Sequence, residues 1–490
     1  MKKEDIYMDY IAIDIGASSG RLIHAHFTGP GGYEMNEIHR FKNGFHFKEG
    51  RECWDIQHLV QEILQGLEKA KQLGIAECYV GIDTWGVDYC LIDDQGDLLA
   101  EAISYRDKRT QSAMQDFEKK LSLNKLYKKT GIQIQPFNTV FQLLKENKEY
   151  LDQADKLLLI PDYLGYIFTG AVMMEETNAS TMQLLNLETR QWDTEILSSV
   201  NVKTELLPPI VASGKILGKL QQEKFKSYDL PEATFITVAS HDTASAVVGT
   251  PGKGEDWAYI SSGTWSLIGM ELSEGISTVE AFEANFTNEW GIDGSIRFLK
   301  NIMGMWLIQE VARAQDYQYS YAELSELATK ETAFQQFIDV NDSRFLNPED
   351  MIEELQNYCR ETQQTVPETP GQIARCIYDN LALCYAVELE NLEKITGRKI
   401  KKLHIVGGGS NNSLLNQITA NTCNLTVEAG PGEATAVGNL MVQMIATEGY
   451  SNLAAAREDI RNSSVLKLFQ PQHTQKEYEA VEKYKKMTRG

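Results

Sequence analysis

Tyr10–Phe27 reads YIAIDIGASSGRLIHAHF, two apolar runs broken by a short polar stretch. β-Branched and aromatic residues flank a turn bearing Gly16 and Gly20, which is the signature of a β-hairpin. The octapeptide Asp14–Arg21, DIGASSGR, carries the chemistry. A glycine-bearing turn lets backbone N–H groups approach phosphate oxygens, Ser18 and Ser19 add hydroxyl donors, and Asp14 supplies a hard oxygen for Mg²⁺, directly or through water. The same residues also suit an ordinary tight hairpin. Gly16–Gly20 further matches G-x-S-x-G, the nucleophile elbow of serine hydrolases, but an elbow must lead from strand into helix. Here RLIHAHF follows, and it reads as a returning strand.

Two further segments share the plan of strand, glycine-bearing turn and strand: Tyr79–Ile92, YVGIDTWGVDYCLI, and Ala258–Met270, AYISSGTWSLIGM. The first and third both contain Ser-Ser-Gly and lie about half a chain apart, so two halves of related construction are expected. Helices separate the hairpins. Between Trp54 and Gly74, Ile56, Leu59, Val60, Ile63, Leu64 and Leu67 recur at helical spacing, with Asp55 as N-cap and Gly74 as stop. Gln372–Thr396 reads as a long helix closed by Gly397, and KLHIVGGGSNNSLLNQITA (402–420) as a strand, a triple glycine and a helix. Strands alternating with helices predict an α/β protein. The turn-rich Gly249–Asp256 is the expected hinge, dividing the chain into lobes 1–248 and 249–490, and the last forty residues read as charged helix.

Other motifs refine this picture. Ser261–Ser266, SSGTWS, repeats the chemistry of the first turn, and Gly407–Gly409 after an apolar strand suits a loop passing close to a nucleotide. EAGPGEATAVGN (428–439) departs from a dinucleotide fingerprint, with Thr435 at the third glycine position, and no GxxxxGK[ST] occurs. His241-Asp242-Thr243 follows the apolar run FITVA (235–239) at an expected helix start. Asp242 is either the helix N-cap or a carboxylate at a crevice, and the small residues after it favour the crevice. Asp83, Trp85 and Asp88 form a polar cluster in apolar surroundings, with Trp85 expected as part core and part sugar-stacking wall.

Composition limits the function classes. The 490 residues are too many for one ordinary core. With 47 Lys plus Arg against 69 Asp plus Glu, the formal charge is -22, which argues against a nucleic-acid surface. No apolar run reaches the ~20 residues of a membrane span and no secretory leader is legible, so a cytoplasmic protein is expected. The seven cysteines lack CxxC or zinc-ligand spacing and read as reduced thiols, with a Cys359–Cys376 bridge left open.

With these residues in place the sequence resembles the FGGY carbohydrate kinases. The matching segments are EIHRFKNGFH, GIDTWGVDY, YRDKRT, GIQIQPFNT, PDYLGYIFTG, ASHDTASAV, SSGTWSL, KNIMGMW, NDSRFLNP and LHIVGGGSNNSLLNQ, in order over nearly the whole chain. The resemblance implies a two-lobed actin-like ATPase (ribonuclease H-like) fold with ATP and sugar in the cleft between lobes. It implies ATP- and Mg²⁺-dependent phosphorylation of a small ketose, L-rhamnulose, at O1, by a monomer or weak homodimer with no nucleic-acid or membrane partner. Asp242 takes the place of the general base, with His241, Thr243, Gly86 and Asn301 at the sugar. Ala17, Ser18, Ser19, Gly20 and Arg21 take the place of the first phosphate loop, Thr264 of the second, Gln309 of a nucleotide contact and Gly408 of the adenosine-side loop. Other ketoses, such as L-fuculose or L-xylulose, and a non-metabolic actin-like ATPase remain as alternatives.

Overall fold

The computed structural model describes residues 7–472 and 474–488, which fall into two compact units. The first unit comprises 1–249, 271–298 and 435–463, and the second 250–270, 299–434 and 464–490.

The sheet of the first unit is built from β1 (Met8–Ile15), β2 (Ser19–Phe27), β3 (Tyr33–Lys42), β4 (Glu77–Thr84), β5 (Ile216–Lys219) and β6 (Glu232–Ile236), in the order β5-β6-β4-β1-β2-β3. β1 and β2 form the expected hairpin, with Ile15 opposite Gly20 and Asp14 opposite Arg21. Gly20 is required there, since a Cβ would stand 2.1 Å from the Phe41 ring. β4 then joins β1 in parallel, placing Asp83 beside Asp14. Because side chains alternate across a strand, Ile11, Ile13 and Ile15 face one side and Tyr10 and Ala12 the other. On the first side they meet α1 (Ile56–Gln72) through Leu59, Ile63 and Leu67. Asp55 caps that helix as expected, accepting from His58 N–H at 2.9 Å. On the second side Tyr10 and Ala12 pack with Ala436, Val437, Leu440 and Met441.

The second unit repeats the plan. β7 (Trp257–Ser262), β8 (Trp265–Leu272), β9 (Ile296–Met303), β10 (Lys402–Val406), β11 (Thr426–Ala429) and β12 (Lys467–Phe469) are ordered β9-β8-β7-β10-β11-β12. β7 and β8 make the other expected hairpin, Ser262 opposite Ser266, and β10 joins β7 in parallel. The long helix spans Pro370–Thr396, with a Thr369/Gln372 capping box and Gly397 in the left-handed conformation at φ 68. All seven cysteines, Cys359 and Cys376 included, are free.

One expectation is corrected. Tyr79–Ile92 is not a hairpin: Tyr89–Ile92 leaves the main sheet and pairs antiparallel with Lys156–Leu159. The cause is Asp88, whose buried carboxylate takes N–H donors from Trp54 at 2.6 Å, Gln142 at 2.9 Å, Trp85 at 3.0 Å and the Tyr105 backbone at 3.0 Å. Donors from so many segments pull the chain out of the β4 plane. As expected, strand β2 and not a helix follows Ser18, which excludes a nucleophile elbow there.

Candidate active site

Within the first unit, the C-terminal ends of parallel β1 and β4 and the segment after β6 bring together residues from four parts of the chain. Asp14 closes β1, and its carboxylate accepts from Arg21 Nη2 at 2.7 Å across the hairpin. Gly16 N–H donates to Ser19 O at 2.9 Å, and Asn43 Nδ2 donates to Gly16 O at 2.8 Å, which fixes the Gly16–Gly20 turn carrying Ala17, Ser18 and Ser19. Ser18 is exposed at the turn's tip while Asp14 is buried beneath it.

Asp83 is fully buried. Its Oδ2 accepts from Asn439 Nδ2 at 2.6 Å, and Gln443 holds that amide by donating to Asn439 Oδ1 at 2.7 Å and to Ile11 O at 3.0 Å. Asp83 Oδ1 has no hydrogen-bond partner. Burial, and then the charges of Asp14 and Asp242, push its carboxyl well above the usual range. A buried carboxylate oxygen without a donor, among neighbouring carboxylates, suits a cation.

α2 (Asp242–Val248) begins immediately after the β6 segment. Thr84 N–H donates to Ser240 O at 2.9 Å, so the chain leading into α2 runs alongside the end of β4. Glu175 anchors the same loop, accepting from Ser240 N at 3.1 Å and Ser240 Oγ at 2.9 Å. The helix N-cap is His241; Asp242 is the first helical residue, and its Oδ1 accepts from Thr243 N–H at 2.6 Å. Burial raises the Asp242 pKa to about 6, with His241 opposing and Asp14 adding to the shift. Gly86 lies beside this loop, because Asn178 Nδ2 bridges Trp85 O at 3.5 Å and Ser240 O at 3.3 Å. Trp85 is buried against Trp54, with ring centroids 4.2 Å apart, and is a core residue rather than an open wall.

Behind His241 stands a buried ion pair that the sequence reading passed over. Glu289 Oε2 lies 3.0 Å from Arg297 Nη2 and 3.2 Å from His241 Nδ1, while His241 Nε2 lies 3.5 Å from Asp242 Oδ1. Arg297 also donates to Trp290 O at 3.1 Å and Thr243 Oγ1 at 3.2 Å. Burial would raise the Glu289 carboxyl, but Arg297 and His241 more than offset it and hold it low. Arg297 Nη2 also lies 3.2 Å from His241 Nδ1, so guanidinium, Glu289 carboxylate and imidazole form one cluster that reaches Asp242. One sequence signal was available: Glu289 and Arg297 are opposite charges a few residues apart, beside apolar Trp290, Ile296, Phe298 and Leu299. Asn439 left no comparable sign.

In the second unit, Thr264 sits in the β7–β8 turn, held by Met305 N–H to Gly263 O and Trp306 N–H to Thr264 O, both at 3.1 Å. Those donors open the helix Trp306–Ala314, which carries Gln309, and Asn301 lies on β9 just before it. Gly407 stacks on the same turn. It has φ 79, and a Cβ there would stand 2.9 Å from Ser262 O, so only glycine lets Gly408 and its neighbours approach the second turn so closely. The unit therefore gathers Thr264, Asn301, Gln309 and Gly408 around one end of its sheet.

Comparison with known proteins agrees with this geometry. Residues 9–249 match the N-terminal domain of the FGGY family of carbohydrate kinases, and residues 258–447 its C-terminal domain. The rhamnulokinase of Enterococcus faecalis is 63% identical over 473 residues, 96% of each chain. That of Bacillus subtilis is 53% identical over 464 residues, 95% of this chain and 96% of its own. In fold, a ligand-bound xylulose kinase from Lactobacillus acidophilus superposes with a TM-score of 0.79 at 17% identity, covering 98% of both chains. Two units built on mixed sheets, each with a glycine-bearing turn after its first strand, are the actin-like ATPase architecture, and this chain belongs to the FGGY family of carbohydrate kinases.

Proposed function

We propose that the protein transfers the γ-phosphoryl group of ATP to O1 of L-rhamnulose, giving L-rhamnulose 1-phosphate and ADP, with Asp242 as general base. The observation that carries the base assignment is the setting of Asp242: at the head of a helix, pKa raised to about 6, and linked through His241 to Glu289 and Arg297. The sugar assignment rests on the 63% and 53% identity to rhamnulokinases. No helix among the described residues is long and apolar enough to cross a membrane. We assign the enzyme to the cytoplasm as a monomer or weak homodimer; the lobes expected at 1–248 and 249–490 differ from the two compact units, since 271–298 and 435–463 fall in the first.

Each residue's part follows from its chemistry. Thr243 N–H occupies Asp242 Oδ1, so Oδ2 is the oxygen assigned to take the O1 proton. A base with a pKa near 6 is ionised at neutral pH yet basic enough to accept a proton as the hydroxyl becomes a phosphate ester. His241, Thr243, Gly86 and Asn301 are assigned to the sugar. The backbone of Ala17–Arg21 and the Thr264 turn are assigned to the phosphates, where N–H groups offset charge on the transferring oxygens. Gln309 and Gly408 are assigned to the nucleoside. Asp14 and the unpartnered Oδ1 of Asp83 would hold Mg²⁺, which neutralises phosphate charge when bound.

A panel of ketoses with coupled ADP detection tests the reading. L-Rhamnulose should give the highest kcat/KM, about tenfold or more above L-fuculose and L-xylulose. A better ketose in the panel would replace L-rhamnulose as substrate, and sugar-independent ATP turnover would favour a non-metabolic ATPase.

A further inference from the structure

At the opposite end of β1 from Asp14, a second cluster of ligating side chains plays no part in phosphoryl transfer. Asp9 and Asp14 are five residues apart on one strand, about 17 Å at ~3.4 Å per residue. Asp9 lies opposite His26 across the β1–β2 hairpin, and His24 lies two residues along β2 on the same face. His24 Nε2 is 2.7 Å and His26 Nδ1 2.8 Å from one atom, Asp9 Oδ1. On the other side of β2, Glu34 of β3 lies opposite His26, so its side chain shares that face.

We propose that Asp9, His24 and His26 form a binding site for a divalent transition-metal cation of the zinc class. Two imidazoles and a carboxylate are a borderline-soft donor set matched to zinc, cobalt or nickel rather than to Mg²⁺, which prefers oxygen alone. The three ligand atoms all lie within 4.8 Å of one another. Around a tetrahedral zinc with bonds of ~2.0–2.1 Å, ligand atoms stand about 3.3 Å apart, so each nitrogen draws back from Asp9 Oδ1 by about 0.5 Å while the two nitrogens, within 4.8 Å of each other, adjust to the same spacing. The strands supply that freedom without backbone change, because His26 is 44% exposed at its side chain and Asp9 27%. The ring of Tyr7 stacks on His26 with centroids 5.9 Å apart and an interplanar angle of 14°, setting the imidazole plane. Water completes the coordination.

The hydrogen-bonded and metal-bound forms use the same atoms differently. Without metal, both rings direct N–H groups at one oxygen. With metal, the same nitrogens present lone pairs, and each ring carries its proton on the nitrogen that faces away from the metal. His39, a buried histidine on this side of the sheet, is not equivalent: its Nδ1 is 2.7 Å from Lys69 Nζ and its Nε2 is committed to Glu62 at 2.6 Å.

Chelator-treated full-length protein, dialysed to equilibrium against Zn²⁺ and analysed for bound metal, tests the site. Wild type should retain about one zinc per chain, and His26→Gln or the double variant His24→Gln/His26→Gln should weaken retention roughly tenfold or more. Co²⁺ should give visible d–d absorption in wild type that the double variant lacks. His26→Gln alters a half-exposed side chain, and circular dichroism checks its fold, so a result is readable even if the double variant misfolds. Zinc held equally by wild type and His26→Gln, or none held by wild type, overturns the proposal.

Discussion

At the residue scale, Asp242 and the charges behind it decide the chemistry. Asp242→Asn keeps shape and hydrogen-bonding capacity but cannot accept the O1 proton, so kcat should fall by about 10²–10⁴-fold while sugar still binds. An N-cap role predicted little change in turnover; because His241 is the cap, the Asn variant should melt close to wild type. Calorimetric sugar binding, melting temperature and kcat on that variant separate the roles, and near-normal turnover removes Asp242 from the mechanism. With its pKa at about 6, kcat/KM for sugar should decline below roughly pH 6, about tenfold per pH unit well below it. Glu289 acts one step away, as a positioning residue. Glu289→Gln should raise the sugar KM about tenfold by releasing His241, with kcat less affected. Arg297→Met leaves Glu289 buried without its cation and should cost about 3–5 kcal/mol of stability, part of which Glu289→Gln/Arg297→Met restores. Urea unfolding of the single and double variants measures that coupling, and additive losses would mean that the pair is not a unit.

At the element scale, the two hairpin turns distinguish glycines that serve the fold from glycines that serve the ligand. A Cβ at Gly16 or Gly263 meets nothing closer than 3.7 or 3.8 Å, so Gly16→Val and Gly263→Val should leave the protein folded, which circular dichroism checks. If these backbones approach phosphate, both variants should raise the ATP KM on the order of tenfold or more, with the sugar KM little changed. Gly20→Val is the contrast, since its side chain would drive into the Phe41 ring and should lower the melting temperature instead. Equal rises in both KM values for Gly263→Val would point to a distorted unit rather than a lost phosphate contact. The β1–β2 and β7–β8 hairpins were legible because alternation and a glycine-bearing turn are local properties of the chain. Tyr79–Ile92 misled for the complementary reason: its alternation is genuine, but Asp88 draws donors from Trp54, Tyr105 and Gln142, residues distant in sequence.

At the scale of the whole molecule, buried carboxyls set the pH dependence of stability. Burial raises Glu176 to about 7 and Asp88, Asp242 and Asp379 to about 6, and lifts Asp83 and Asp162 well above the ordinary carboxylate value. In the unfolded chain such groups titrate near ~4. Between about pH 4 and 7 the folded protein therefore holds protons that the unfolded chain has lost, and stability rises as pH falls through that window. Glu289 and Asp193 run the other way, their pKa values lowered by ionic partners against the effect of burial, so their stabilisation is lost only below about pH 4. The charge of -22 adds self-repulsion that also relaxes on acidification. The melting temperature should thus peak between about pH 5 and 6 and decline toward pH 8; a scan that rises steadily to pH 8 would contradict these burial effects.

The sequence by itself determined the α/β class, the two related halves, the turns at Gly16–Gly20 and Ser261–Ser266, and Asp242 as the acid worth attention. Each depends on residues near one another in the chain, where periodicity, glycine and capping act directly on the backbone. Tertiary structure alone decided that Asn439 holds Asp83, 356 residues away, and that Glu289 and Arg297 stand behind His241. It also decided that Asp9 faces two histidines and that Trp85 is core. A buried charge takes whatever partner packing delivers to it, and the strength of that pairing depends on the water excluded around it. Neither the partner nor the exclusion exists until distant segments have been folded against one another.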